Sequence, residues 1–182
     1  MNKIIVLVGL MGAGKSTIGR RLAKILNVEF KDSDDEIVEA AGCSISDIFY
    51  IHGEQIFRDL EKRVLTRLLT DGVPKILATG GGAWINDEIR ALAKQHAHSV
   101  WLKADVDVLV DRVSRKNTRP LLETGDKSAI LEKMLEERSP IYAEADKHID
   151  SDKGTHSDVI KSILVALNFG DKYHNIVDMI EN

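Results

Sequence analysis

Residues Ile4–Ser16 read IIVLVGLMGAGKS. The first half is an unbroken apolar run rich in β-branched residues, the pattern of a strand buried on both faces. The second half, Gly9-Leu-Met-Gly-Ala-Gly14-Lys15-Ser16, matches G-x-x-x-x-G-K-[ST], and the apolar spacing of Ile18, Leu22, Ile25 and Leu26 then opens an amphipathic helix. Backbone N–H groups of such a loop, backed by the positive end of the helix, wrap a di- or triphosphate. Lys15 then sets its ammonium against the β and γ phosphates, and the Ser16 hydroxyl ligates Mg²⁺. A chance match in a chain of this composition has a probability of roughly 1%, and the strand and helix around it lower that further. The patch Ile4–Leu10 is too short for a membrane span or the apolar core of a secretory leader.

The same alternation continues outward. Strands are predicted at Lys3–Val8, Val28–Lys31, Lys75–Ala78, His98–Leu102 and Lys147–Asp150, with 3.6-residue stripes between them, as at Ile56, Leu60, Val64, Leu65 and Leu68. Five strands and a surplus of helices imply an α/β fold of three layers, a parallel sheet covered on both faces. A length of 182 residues suits one such domain. The net charge of −4 disfavours a general polyanion binder but leaves room for a small anionic ligand. The single cysteine, Cys43, cannot form an internal disulfide, so a reducing cytoplasm is expected. The stretch Arg112–Leu122 (RVSRKNTRPLL) breaks the pattern with basic and turn-forming residues, as lids and binding loops do. The tail Phe169–Asn182 follows as a short extra helix or a frayed end.

A phosphate loop with Mg²⁺ also needs a carboxylate at the end of a neighbouring strand. The strand ending near Lys31 supplies Asp32-Ser33-Asp34-Asp35-Glu36. Capping and first-turn roles for a helix beginning near Ser33 account for Ser33, Asp35 and Glu36, leaving Asp32 and Asp34 for a ligand at the carboxyl edge of the sheet. The strand Lys75–Ala78 runs into Thr79-Gly80-Gly81-Gly82, three glycines that suit the close approach of a ligand or another backbone. Arg58, in a helical stretch, has Glu54 and Glu61 at ion-pairing spacing, the default reading of a helical arginine. The six histidines show no metal-binding spacing, and Trp84 and Trp101 read as packing residues.

Taken in order around the phosphate loop, DSD, GEQIFRDLE, the triple glycine, RPLL and ERSPIYAEAD form a set that resembles shikimate kinase, of the nucleoside-monophosphate-kinase-like P-loop enzymes. The resemblance covers residues 1–168 and implies one domain with a lid at about 112–124, leaving 169–182 as a tail. It implies transfer of the γ-phosphoryl of ATP to the 3-hydroxyl of shikimate, with Mg²⁺, by a cytoplasmic monomer that engages neither nucleic acid nor membrane. By similarity, Gly12, Ala13, Gly14, Lys15, Ser16 and Thr17 hold phosphates and metal. Asp32 resembles the residue reaching magnesium through water, and Asp34 the one gripping the shikimate hydroxyls, as base or as orienting group. Arg58 and Arg138 correspond to a carboxylate clamp and Gly80, Gly81 and Gly82 to the wall of that pocket, with Phe49 and Phe57 as its apolar side. Arg119 matches a catalytic lid arginine reaching the transferring phosphate, and Arg112 one lying over adenine. DSD stands where many relatives have DTD. A small-molecule kinase of gluconate type, or a non-catalytic nucleotide-binding relative, would share the phosphate loop.

Overall fold

The computed structural model describes residues 3–115 and 127–169. Five parallel strands, β1 (Ile4–Val8), β2 (Glu29–Asp32), β3 (Lys75–Ala78), β4 (Ala97–Lys103) and β5 (Lys147–Asp150), lie in the order β2-β3-β1-β4-β5. Every residue of β1 is buried, as a central strand covered on both faces requires. Its register sets Val6 beside Leu77 of β3 on one flank and Ser99 of β4 on the other. After β1 the chain winds to one side through β2 and β3, then crosses to the other for β4 and β5. Ligands of open α/β sheets bind beyond the carboxyl ends of the strands at such a reversal.

The helices are α1 (Lys15–Leu26), α2 (Ser33–Ala41), α3 (Ile45–Thr70), α4 (Asp87–His96), α5 (Val106–Ser114), α6 (Lys127–Tyr142) and α7 (His156–Ala166), with a 3₁₀ turn at Ala83–Ile85. Helix α1 packs on β3 and α7, while α4 packs on β4 and α3. Helix α3 opens on a reciprocal cap between Ser44 and Asp47, then breaks at Gly53, whose φ of 80° and ψ of 173° are not helical. Only a residue without Cβ takes that backbone cheaply. The break turns the first two helical turns of α3 against the rest, bringing Phe49 and Phe57 to a ring-centroid distance of 4.6 Å.

The expected strands are present, with shifted ends. Strand β2 starts one residue late because Asn27 closes α1 in the left-handed conformation and the Val28 N–H is taken by Ala23 O, so Val28 belongs to the helix-ending turn. Strand β4 is longer than expected, since Ala97 pairs with Ile4 and Lys103 with Asp150. Of the segment expected as a lid, residues 112–114 form the last turn of α5, anchored by buried Val113, and Arg115 follows as its C-cap. The rest of the lid, Arg119 included, lies outside the described residues, as does the tail from Gly170. Phe169 still packs against the core.

One buried charge lies at the far edge of the sheet. Lys75 is 1% exposed at the start of β3, and its ammonium donates to Asp71 and to Leu68 O. Burial raises the Asp71 carboxyl, but the hydrogen bond from Lys75 and the Val73 N–H outweigh it and hold the group below the usual carboxylate range.

Candidate active site

The loop between β1 and α1 turns through Gly12 and Gly14, both at positive φ, and no side chain caps the first turn of α1. A helix N-terminus of this kind presents backbone donors to an anion. Lys15 Nζ donates to Gly9 O at 2.7 Å and to Leu10 O at 2.9 Å, bending back over the loop. Ser16 Oγ donates to Asp32 Oδ2 at 2.6 Å. The two side chains assigned from sequence to the metal therefore meet where the head of α1 faces the end of β2, although 16 residues apart in the chain.

Asp32 also does work that the sequence reading gave to Ser33. Its Oδ1 accepts the Asp34 N–H at 3.1 Å, making Asp32 the cap of α2. Ser33 is the first helical residue, fully buried, and its hydroxyl accepts the Gly80 N–H at 2.9 Å. Glu36 departs from expectation too. It is no solvent-facing first-turn acid, being 8% exposed and paired with Lys31 at 2.8 Å and Arg67 at 2.7 Å. Those contacts fix α2 against β2 and α3, and with it the position of Asp34.

The three glycines after β3 are the point of convergence. A Cβ on Gly80 would lie 2.7 Å from Asp34 Oδ1, and one on Gly82 would lie 2.8 Å from Arg58 Nη1. Between them, Gly81 O accepts Arg138 Nη1 at 3.2 Å and the Tyr142 hydroxyl at 2.5 Å. Successive glycines thus meet Asp34, Arg138 and Arg58, which come from α2, α6 and α3. None of the three has positive φ, so the requirement is for space rather than for left-handed backbone.

Arg58 lies on α3 beside the last of the three glycines. It forms the expected helical pairs, to Glu54 Oε1 at 3.1 Å and Glu61 Oε2 at 2.8 Å, and these same bonds hold the guanidinium over Gly82. The Glu61 side chain is only 6% exposed. Burial pushes its carboxyl up despite Arg58, with Asp34 and Glu54 adding like charge. Burial pulls the Arg58 guanidinium down, but the hydrogen bonds and charges of Glu61 and Glu54 outweigh it and keep the group firmly protonated. Arg112 spans the other end of the site, donating to Gly12 O at 3.3 Å and Ser151 O at 2.9 Å.

A cleft of about 450 Å³ runs from the phosphate loop to the first two of the three glycines, lined by Gly12–Thr17, Asp32, Asp34, Gly80, Gly81, Arg112, Ser151 and His156. It is large enough for a small substrate beside a nucleotide's phosphates. Sequence reasoning missed Tyr142 and Ser33 as members of the site, and took Glu61 only for an ion-pair partner. Glu61 had a signal, since it falls on the stripe of Val64, Leu65 and Leu68, where a carboxylate is out of place unless it serves a partner.

The comparisons bear directly on this arrangement. A family model described as shikimate kinase matches residues 11–168. The chain belongs to the shikimate kinase family. The shikimate kinase of Caulobacter vibrioides is 53% identical to it over 165 residues, covering 91% of this chain and 82% of that one. That of Brucella abortus is 51% identical over 148 residues, covering 81% and 74%. Among solved structures, the shikimate kinase of Acinetobacter baumannii in complex with shikimate superposes with a TM-score of 0.86 at 38% identity, covering 93% of this chain and 96% of that one. As in other α/β P-loop kinases, the family's five-stranded parallel sheet is flanked by helices, and the fold expected from sequence is the one observed.

Proposed function

We propose that this member of the shikimate kinase family transfers the γ-phosphoryl of ATP to the 3-hydroxyl of shikimate. The observation that carries the reading is the convergence of Asp34, Arg138 and Arg58 on three successive glycines, of which Gly80 and Gly81, with Asp34, line the cleft that also holds the phosphate loop. Two guanidinium forks beside a carboxylate suit an acceptor bearing a carboxylate at one end and hydroxyls at the other. The backbone of Gly12, Ala13 and Gly14, with Lys15 and Thr17, receives the phosphates, and Arg112 closes the base end. Arg119 is proposed, from its place in RPLL, as the lid arginine facing the transferring group.

The residues present fit Mg²⁺. A hydroxyl and a carboxylate 2.6 Å apart at the head of the phosphate loop make a hard oxygen pair, which suits an ion that keeps much of its shell as water and phosphate oxygens. Ser16 would hold the ion and Asp32 its water, and the ion would neutralise charge on the phosphates. Phosphoryl transfer passes through a loose transition state, so catalysis is mainly positioning and cationic stabilisation. Lys15 supplies the charge nearest the phosphates. Asp34 orients the acceptor hydroxyl and receives its proton as the new O–P bond forms. A lid closing over the cleft would exclude water and limit idle hydrolysis.

The test is coupled ADP release with purified protein, ATP, Mg²⁺ and shikimate. Turnover that quinate and gluconate do not match is expected. ATP binding without shikimate-dependent turnover would instead assign the chain to the non-catalytic relatives, and preference for gluconate to the sugar-acid kinases.

A further inference from the structure

Tyr142 ends α6 with 1% of its surface exposed, and its hydroxyl reaches the Gly81 carbonyl 61 residues earlier in the chain. Arg138 stands one helical turn before it and donates to the same oxygen at 3.2 Å. Phenol and guanidinium therefore share one carbonyl oxygen, whose two lone pairs can accept from both.

The fold does not need this hydroxyl to attach the glycine loop to α6. Trp84 is fully buried in the 3₁₀ turn just after the loop, and its Nε1 already donates to Ile141 O at 3.2 Å. The Tyr142 ring has its own packing partner in Trp101, at a centroid distance of 5.8 Å. What the hydroxyl adds to these contacts is a second donor on the carbonyl that Arg138 also uses.

We propose that Tyr142 is a positioning residue of the acceptor pocket, whose hydroxyl keeps the Gly81 carbonyl satisfied and so leaves the Arg138 guanidinium available to the carboxylate of shikimate. The inference rests on the reading of Arg138 as part of the carboxylate clamp. A carboxylate draws Arg138 Nη1 away from Gly81 O, and the Tyr142 hydroxyl stays as that oxygen's donor, so binding leaves no buried acceptor unpaired. Without the hydroxyl, Gly81 O and the substrate compete for one guanidinium. Burial raises the phenol above its ordinary pKa against the influence of Arg138, so it remains a donor at any working pH.

The experiment compares wild type, Tyr142→Phe, Arg138→Ala and the double variant in steady-state assays with both substrates, alongside thermal melts. With the hydroxyl gone, drawing Arg138 off Gly81 O strands a buried carbonyl, which predicts a rise of roughly tenfold in the shikimate KM of Tyr142→Phe, with kcat and the ATP KM within about threefold. In the Arg138→Ala background the same change should add less than about threefold, because its route is gone. An unchanged shikimate KM in Tyr142→Phe overturns the proposal, as does full additivity in the double variant. Parallel losses for both substrates with a lowered Tm would make the hydroxyl a structural tie only and also overturn it. An unchanged shikimate KM in Arg138→Ala would instead show that the clamp reading beneath it is wrong.

Discussion

Gly82→Ala tests the acceptor pocket without removing any functional group. The new Cβ would lie 2.8 Å from Arg58 Nη1, 3.0 Å from Nη2 and 3.2 Å from Cζ, where ordinary contact begins at 3.4 Å. The guanidinium must therefore retreat by about 0.6 Å to restore normal contact. It is not free to do so cheaply, because Glu61 holds Nη1 at 2.8 Å and Glu54 holds Nη2 at 3.1 Å. A shift of that size stretches the Glu61 bond beyond good geometry and misaligns the fork that meets the carboxylate. Loss of one charge-assisted hydrogen bond is worth about 1.5–3 kcal/mol, or roughly 10- to 150-fold in binding. The clash falls on the end of a flexible side chain and the Gly82 φ of −100° is open to alanine, so stability should change little. The expected result is a shikimate KM raised at least roughly tenfold, an ATP KM within about twofold and a Tm within about 2 °C of wild type. Steady-state kinetics in both substrates and a thermal melt read all three. An unchanged shikimate KM would refute the placement of Arg58 at the carboxylate, and a joint rise in both KM values would show that the alanine had disturbed the whole loop.

Two other outcomes follow from the same geometry. Asp71→Asn leaves the buried Lys75 ammonium without its counter-charge, which with Asp71 partly solvent-exposed should cost about 2 kcal/mol, or a Tm lower by about 4–8 °C at neutral pH. Because the folded Asp71 carboxyl lies below its unfolded value, its stabilisation is complete above the usual carboxylate range and fades as pH falls through the depressed value, so the two melting curves should converge in acid. Asp32→Asn keeps an acceptor for the Asp34 N–H but removes the charge beside Ser16. A Mg²⁺ titration of shikimate-dependent ADP release should then show a requirement raised roughly tenfold or more, with Tm nearly unchanged.

What was legible in the sequence was what depends on neighbours in the chain. The phosphate loop could be read because its chemistry is made by backbone within eight residues, and Lys75–Ala78 because a short apolar run before glycines has few alternatives. The register at Asp32 and Ser33 could not be fixed to one residue, because capping depends on where the backbone leaves the extended region, and either side chain could cap. The break at Gly53 was hidden, since apolar spacing persists on both sides of it. Glycines 80–82 were read as a place where a ligand or another backbone comes close, and what lies against them in the fold is side chains from α2, α3 and α6. Tyr142 was beyond reach for the same reason: its partner is distant in sequence, and a tyrosine in SPIYAEAD looks like any core aromatic until the fold closes.

The bend of Lys15 over its own loop has a consequence for which nucleotides the cleft prefers. The ammonium already makes two short bonds, to Gly9 O and Leu10 O, so a phosphate chain must win it by exchange. Neutral carbonyls are weaker acceptors than phosphate oxygens, and the exchange grows more favourable with each negative charge brought within reach. A nucleoside monophosphate, or a triphosphate partly protonated in acid, offers less and leaves the lysine nearer its resting place. The loop thus ranks nucleotides by charge density at the far end of the phosphate chain, and the resting contacts set the threshold.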